Sequence, residues 1–201
     1  MIRVLLAEDQ DMVRGALAAL LSLEPDIQIV DQVDRGDEVV GRALEHRPDV
    51  ALLDIEMPGQ DGIDTAAELR IKVPDCRVLI LTTFGKPGLL RRAMAAGASG
   101  FLLKDARAEE LAVAIRKTAA GERVVDHQLA AEALSEGDSP LSAREAEILA
   151  ASSDGSSVIE LAGRLHLSEG TVRNHLSAAI QKLNARNRAD AARIAMLKGW
   201  L

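Results

Sequence analysis

Tyrosine is absent from the 201 residues, and two Phe and one Trp are the only aromatic side chains. The cores must therefore be aliphatic, built from the Leu, Val, Ile and Ala that dominate a 48% apolar composition. A single cysteine, Cys76, excludes an internal disulfide. Lying beside an expected strand, it reads as a small core or edge residue without a redox role. No apolar run reaches the ~18 residues of a membrane span. The opening Met1-Ile-Arg-Val-Leu-Leu-Ala-Glu8 is too short and too soon charged for a signal peptide. Internal repeats and low-complexity tracts are missing too. These absences point to a soluble, cytoplasmic protein with no membrane partner, long enough for one large or two small domains.

The formal charge of −7 is unevenly spread. Residues 1–140 hold 16 Lys/Arg against 25 Asp/Glu, and residues 141–201 hold 8 against 6. An acidic front and a mildly basic back suggest two domains with different partners.

The front half is organised around Asp49-Val-Ala-Leu-Leu-Asp54-Ile-Glu-Met-Pro58-Gly59. This is an apolar strand-like run that stops at a Pro-Gly breaker. Asp54 stands where run meets turn, and a buried strand does not end in a carboxylate unless something pairs with it or uses it. Four further strands are expected at Ile2–Ala7, Ile27–Val30, Arg77–Thr82 and Gly100–Leu103. Helices alternate with them: Asp11–Leu23 with Val13, Leu17, Leu20 and Leu21 facing the core, Glu38–His46, Gly62–Val73, Leu89–Ala96 and Glu109–Ala120. Five strands alternating with five helices argue for a parallel, doubly wound sheet covered on both faces. Such sheets bind ligands at the carboxyl ends of their strands. Glu8 and Asp9 follow the first strand, Asp54 ends the third, Thr82 ends the fourth and Lys104 follows the fifth, so all five converge on one sheet edge.

That set has a chemistry. Clustered carboxylates suit Mg²⁺, which prefers oxygen ligands in octahedral geometry. Lys104 offers a point charge to a phosphoryl oxygen and Thr82 a hydroxyl donor. A carboxylate nucleophile in such company fits phosphoryl transfer onto Asp, where catalysis is mostly positioning and charge neutralisation. Taken singly, each residue has an ordinary role: a helix-capping Asp, a solvated Lys, a strand Thr, a core Phe101. The spaced set Glu8-Asp9, Asp54 with Met57-Pro58-Gly59, Thr82 and Phe101-Leu-Leu-Lys104 resembles the receiver domain of bacterial response regulators, over roughly residues 1–122. The resemblance implies a flavodoxin-like fold and Asp54 as phosphoacceptor. It implies Mg²⁺ held by Glu8, Asp9, Asp54 and the Glu56 backbone carbonyl, and Thr82 and Lys104 on the phosphoryl group. Phe101 matches the family's aromatic switch position but lacks a Tyr hydroxyl, so a switch there acts through packing alone.

The linker is expected at 123–140, with a weak helix at Leu129–Leu134 and the breaker-rich Glu136-Gly-Asp-Ser-Pro140. The back domain, 141–201, opens with a capping box, Ser142 with Glu145. Helices follow from there to Ala151, over Val158–Leu165, from Ser168 to about Leu183, and over Arg188–Lys198. Short helix, short turn and longer helix are helix-turn-helix grammar. In the third of these helices Val172, Leu176, Ile180 and Leu183 face inward. Arg173, Asn174 and Ser177 face outward, with Thr171 at the N-terminal end, where Arg and Asn suit guanine and adenine. Lys182, Arg186 and Arg188 suit phosphates. His166 and His175 read as packing residues, and Trp200 as packing for the last helix. Leu141-Ser-Ala-Arg-Glu145, Ile159-Glu-Leu-Ala162, Leu167-Ser-Glu-Gly-Thr-Val-Arg-Asn-His175 and Lys182-Leu-Asn-Ala-Arg-Asn-Arg188 resemble the LuxR/NarL-type DNA-binding domain. The Asp154-Gly-Ser-Ser157 turn departs from it by lacking an Asn before the second helix.

The whole resembles a two-domain response regulator of the NarL/LuxR class. Its Ala7-Glu-Asp-Gln10, Asp54-Ile-Glu-Met-Pro58 and Leu81–Gly88 segments are similar to those of DesR-like regulators of membrane-lipid desaturation. The resemblance implies a sensor histidine kinase as phosphoryl donor, promoter DNA as target and a homodimer on phosphorylation. A second apolar stripe on the first helix, Met12, Ala16, Ala19 and Leu23, together with Val113 and Lys117 on the fifth, is the expected dimer surface. Two rivals stand beside this reading. One is an aspartate-nucleophile phosphatase with Glu56 as general acid, although such enzymes place the nucleophile after the first strand. The other is a phosphorylation-independent DNA-binding protein whose front domain is only a dimerisation scaffold.

Overall fold

The computed structural model describes residues 1–83, 85, 87–125, 129–131 and 139–201. These residues fall into two compact units, one comprising Met1–Gly85 and Leu90–Ala130, the other taking in Ala131–Leu201. Among the described residues, no helix is long and apolar enough to cross a membrane.

The first unit alternates strands and helices: β1 (Ile2–Ala7), α1 (Asp11–Leu21), β2 (Ile27–Val33), α2 (Gly36–His46), β3 (Val50–Leu53), α3 (Gly62–Lys72), β4 (Arg77–Thr82), α4 (Pro87–Ala96), β5 (Gly100–Leu103), α5 (Ala108–Ala119) and β6 (Val124–Val125). All strands pair in parallel, in the order β2-β1-β3-β4-β5-β6. This is the flavodoxin-like order with one edge strand added. Among the described residues the five expected strands are therefore six. The sixth has two residues, too few for any periodicity, and it lies in the stretch expected to be linker. It forms because Gly121 turns the chain at φ 83° after α5, bringing Val124 beside Gly100.

β3 is wholly buried and Val4–Ala7 of β1 nearly so. They sit at the centre of the sheet with both faces covered, which explains their unbroken apolar runs. Cys76 is buried and unpaired, and burial pushes its thiol up to about 12. Leu20 departs from expectation. It stays 42% exposed, while Leu21 is buried and Leu17 packs half-buried against the same core; Val13 is half-buried. Of the helix expected at Leu129–Leu134, Leu129–Ala131 are helical; the remainder, and 136–138 of the breaker-rich stretch, lie outside the described residues.

The second unit is helical: α6 (Ala143–Ala151), α7 (Val158–Leu165), α8 (Glu169–Lys182) and α9 (Arg188–Leu197). Ile148, Leu149, Leu161, Val172, Ala179 and Ala191 form its core, with Trp200 packed against it. Each helix starts on a side-chain cap. Ser142 and Ser157 form capping boxes with Glu145 and Glu160, and Ser168 and Asn187 accept from Thr171 and Asp190. His166 corrects the packing expectation. It is exposed and ends α7 in the left-handed conformation at φ 54°, while His175 is half-buried.

Candidate functional site

Sheet register brings the polar residues of the first unit together. β1 and β3 pair Ala7 with Leu53, so Glu8 and Asp54 come next on adjacent strands, about 4.8 Å apart in the pairing direction. β4 and β5 pair Thr82 with Leu103, so Lys104 follows immediately. The ladder extends into the site: the Asp54 amide donates to the Ala7 carbonyl at 2.9 Å and the Lys104 amide to the Thr82 carbonyl at 2.8 Å. Glu8, Asp54 and Thr82 are buried, and Asp9 is exposed.

The side chains meet around Lys104. Its Nζ lies 2.6 Å from Glu8 Oε2 and 3.0 Å from Asp54 Oδ2. The other oxygens are held by backbone: Ile55 N–H donates to Asp54 Oδ1 at 2.8 Å, and Gln10 N–H to Glu8 Oε1 at 3.3 Å. Oxygens of Glu8, Asp9 and Asp54 all lie within 4.8 Å of one another, close enough to share one cation. Burial raises the Glu8 carboxyl above its ordinary range, against the opposing hydrogen bond from Lys104. Burial works to lower the Lys104 ammonium, but its bonds to Glu8 and Asp54 prevail and raise it. The donor set, three carboxylates of which two are buried, fits a divalent cation with oxygen preference.

The turn after β3 closes around this site. A side chain at Gly62 would put its Cβ 1.9 Å from the Asp54 carbonyl oxygen, so only glycine admits α3 so close. Gly59 takes φ 82° in the same turn. Glu56 lies there with its side chain exposed. Phe101 is fully buried on β5, in register with Ile80. Sequence reasoning missed Arg14, whose Nη1 donates to the Glu8 carbonyl at 2.6 Å.

The expected dimer residues do not belong to this cluster. Met12, Ala16 and Ala19 are exposed on α1 and Leu23 in the turn that follows it, and Val113 and Lys117 are exposed on α5.

In the second unit, α8 buries Val172, Leu176 and Ala179 and leaves Arg173, Asn174 and Ser177 exposed. Arg173 pairs with Glu169 one turn earlier at 2.8 Å, and the Thr171 and Ser168 hydroxyls share a bond of 2.8 Å. Lys182 is engaged within the unit, with Nζ 2.7 and 3.0 Å from the Glu145 oxygens. The same Glu145 closes the capping box of α6, and its bond from Lys182 holds its carboxyl below the usual range. Arg188 Nη1 donates to the Ser156 carbonyl at 2.6 Å, and Arg186 lies 3.4 Å from Asp190 with its side chain largely exposed. The tethers of Lys182 and Arg188, too, are missing from the sequence reading, since they join residues more than 30 positions apart.

Comparison with known proteins agrees with both halves. The family model described as response regulator receiver domain matches residues 4–116, and that of bacterial regulatory proteins, luxR family, matches residues 139–195. The chain is 46% identical over 201 residues to the uncharacterised transcriptional regulatory protein YvfU of Bacillus subtilis, covering all of both chains. It is 43% identical over 200 residues to the transcriptional regulatory protein DesR of the same organism, covering 100% of this chain and 99% of the other. Among solved structures it is similar to the response regulator ChrA of a heme-sensing two-component system, at 36% identity and a TM-score of 0.58, covering 100% of this chain and 98% of that one. A receiver fold with its acidic edge intact and a capped helix-turn-helix thus occur in one chain, and the phosphatase reading is set aside: the chain belongs to the response regulators of the NarL/LuxR class and is a DNA-binding transcription regulator.

Proposed function

We propose that Asp54 accepts a phosphoryl group from a sensor histidine kinase and that the modified protein dimerises and binds promoter DNA in the cytoplasm. Residues 1–122 would be the receiver, 123–140 the joining segment and 141–201 the DNA-binding domain. The observation that carries this reading is the meeting of Glu8, Asp9, Asp54 and Lys104 at the carboxyl edge of the sheet. ChrA, which works in a two-component system, supports the kinase partner.

Glu8, Asp9, Asp54 and the Glu56 carbonyl would hold Mg²⁺. When bound, the ion supplies neutralisation of charge on the phosphoryl oxygens. The chain's own residues do the rest. The Ile55 amide fixes the Asp54 carboxylate, which attacks phosphorus as the bond from phosphorus to the kinase imidazole nitrogen breaks. Lys104 and Thr82 receive the phosphoryl oxygens. Drawing Thr82 toward Asp54 lets Phe101 repack, which shifts an existing equilibrium between two states. The only chemistry on the chain itself is this self-phosphorylation and a slow self-dephosphorylation. In the second domain Arg173 and Asn174, with Thr171 and Ser177 beside them, read base edges. Lys182 and Arg188, each anchored to its own domain, grip phosphates.

Intact mass after incubation with a small phosphodonor tests the reading. One phosphate is expected with Mg²⁺, none without it, and none on Asp54→Asn. Equal labelling of Asp54→Asn would sink it. Promoter affinity that ignores phosphorylation would favour the scaffold alternative.

A further inference from the structure

Arg14 sits one turn inside α1 with its side chain only 18% exposed, low for an arginine on a surface helix. Its guanidinium forks. Nη1 donates to the Glu8 backbone carbonyl at 2.6 Å, and Nη2 pairs with Asp11. Glu8 is thereby held at three points: Oε2 by Lys104, Oε1 by the Gln10 amide and its carbonyl by Arg14. The third point reaches beyond Glu8. The peptide is planar, so fixing the Glu8 carbonyl also fixes the Asp9 nitrogen and the direction in which the Asp9 chain leaves. Asp9 is the exposed member of the three-carboxylate cluster and has the least around it to hold it.

We infer that Arg14 is a positioning residue for the divalent cation: it orients the Glu8–Asp9 peptide so that both carboxylates face the ion. The inference rests on the cation-dependent reading of the site given above. Its two physical effects have opposite signs. The charge of Arg14 repels a cation nearby, while its hydrogen bond preorganises the ligands. Supporting bonds to metal ligands typically matter 10–100-fold in affinity, and the repulsion is offset by the pairing of the guanidinium with Asp11. Positioning should therefore prevail.

Calorimetric titration of the full chain with Mg²⁺ separates the two effects, with circular dichroism establishing that each variant is folded. Arg14→Lys keeps the charge but loses the planar fork, and Arg14→Met loses both. Both are expected to bind Mg²⁺ about tenfold more weakly, and labelling of Asp54 should recover at saturating Mg²⁺. Tighter binding by Arg14→Met with Arg14→Lys unchanged would mean that only charge matters and would overturn the inference. Unchanged affinity in both would overturn it too, as would a lowered melting temperature with no change in Mg²⁺ affinity. A wild-type chain that takes up no Mg²⁺ would instead refute the cation reading itself, and this inference with it.

Discussion

Phe101 is the largest fully buried side chain among the described residues of a protein with almost no aromatics. Its truncation leaves a cavity that aliphatic neighbours cannot fill, and Phe101→Ala should cost about 3–5 kcal/mol in urea denaturation. The arginines of α8 and α9 answer to a different measure. Arg173 is exposed and turned outward, so Arg173→Ala should weaken promoter binding by ~1–3 kcal/mol and relax specificity at one position. Arg188→Ala should weaken all sequences alike and lower the salt slope by about one. Two mutants that behave identically on promoter and random DNA would show that these roles are misassigned. At this scale the acidic site was legible, because Glu8, Asp9, Asp54, Thr82 and Lys104 each stand at a strand end and strand ends can be read from apolar runs. The tethers Lys182–Glu145, Arg188–Ser156 and Arg14–Glu8 were not legible. A long cation's partner depends on three-dimensional packing, and a surface Arg looks the same in sequence whether it faces solvent or a carbonyl.

At the scale of elements, legibility followed length. Strands of four or more buried residues and helices with capping residues were found within a few positions, whereas the two-residue β6 carries no pattern to find. The second capping box, Ser157 with Glu160, carries the same S-x-x-E signature as Ser142 with Glu145 and directly follows the Asp154-Gly155 turn. Ser157→Ala should destabilise the second domain by about 0.5–2 kcal/mol, measured on its own melting transition. A similar stitch joins elements of the first domain. Arg116 on α5 donates to Asp26 at 2.6 and 2.8 Å and to Glu24 at 2.6 Å, in the turn between α1 and β2. The hydrogen bond from Arg116 holds the Asp26 carboxyl at about 2. A carboxyl lowered by folding stabilises the native state above its unfolded value near 4, and that contribution disappears as pH falls through about 2. Between those values the melting temperature of Asp26→Asn should fall less steeply with acidification than that of the wild type. Parallel curves would mean that the ion pair contributes nothing to the pH dependence.

The whole molecule poses the question of how a weakly charged DNA-binding domain achieves useful affinity. Residues 141–201 carry only two more Lys/Arg than Asp/Glu, too little for strong binding by phosphate attraction alone. Two copies on two half-sites are the natural solution, and the spacing of half-sites then mirrors the dimer. The first domain offers a surface for it. Met12 is 87% exposed and Leu23 77%, and Ala16, Ala19 and Leu20 lie exposed between them along α1. Val113 and Lys117 are exposed on α5, which packs beside α1 through the bonds of Arg116 to Glu24 and Asp26. Side chains as small as those of Ala16 and Ala19 let two helices approach closely. A symmetric pair uses the same patch twice, so a charge placed at its centre is felt twice. Ala16 lies mid-stripe and exposed, and it is neither one of the clustered carboxylates nor one of their bonded partners. Ala16→Arg should therefore leave Asp54 labelled by a phosphodonor, as judged by intact mass, while sedimentation velocity finds the phosphorylated protein monomeric. Promoter binding should then lose its dependence on phosphorylation and fall to that of a single domain. A phosphorylation-dependent dimer that survives Ala16→Arg would move the interface away from α1, and loss of labelling in the same variant would mean that the helix serves the acidic site rather than a second copy.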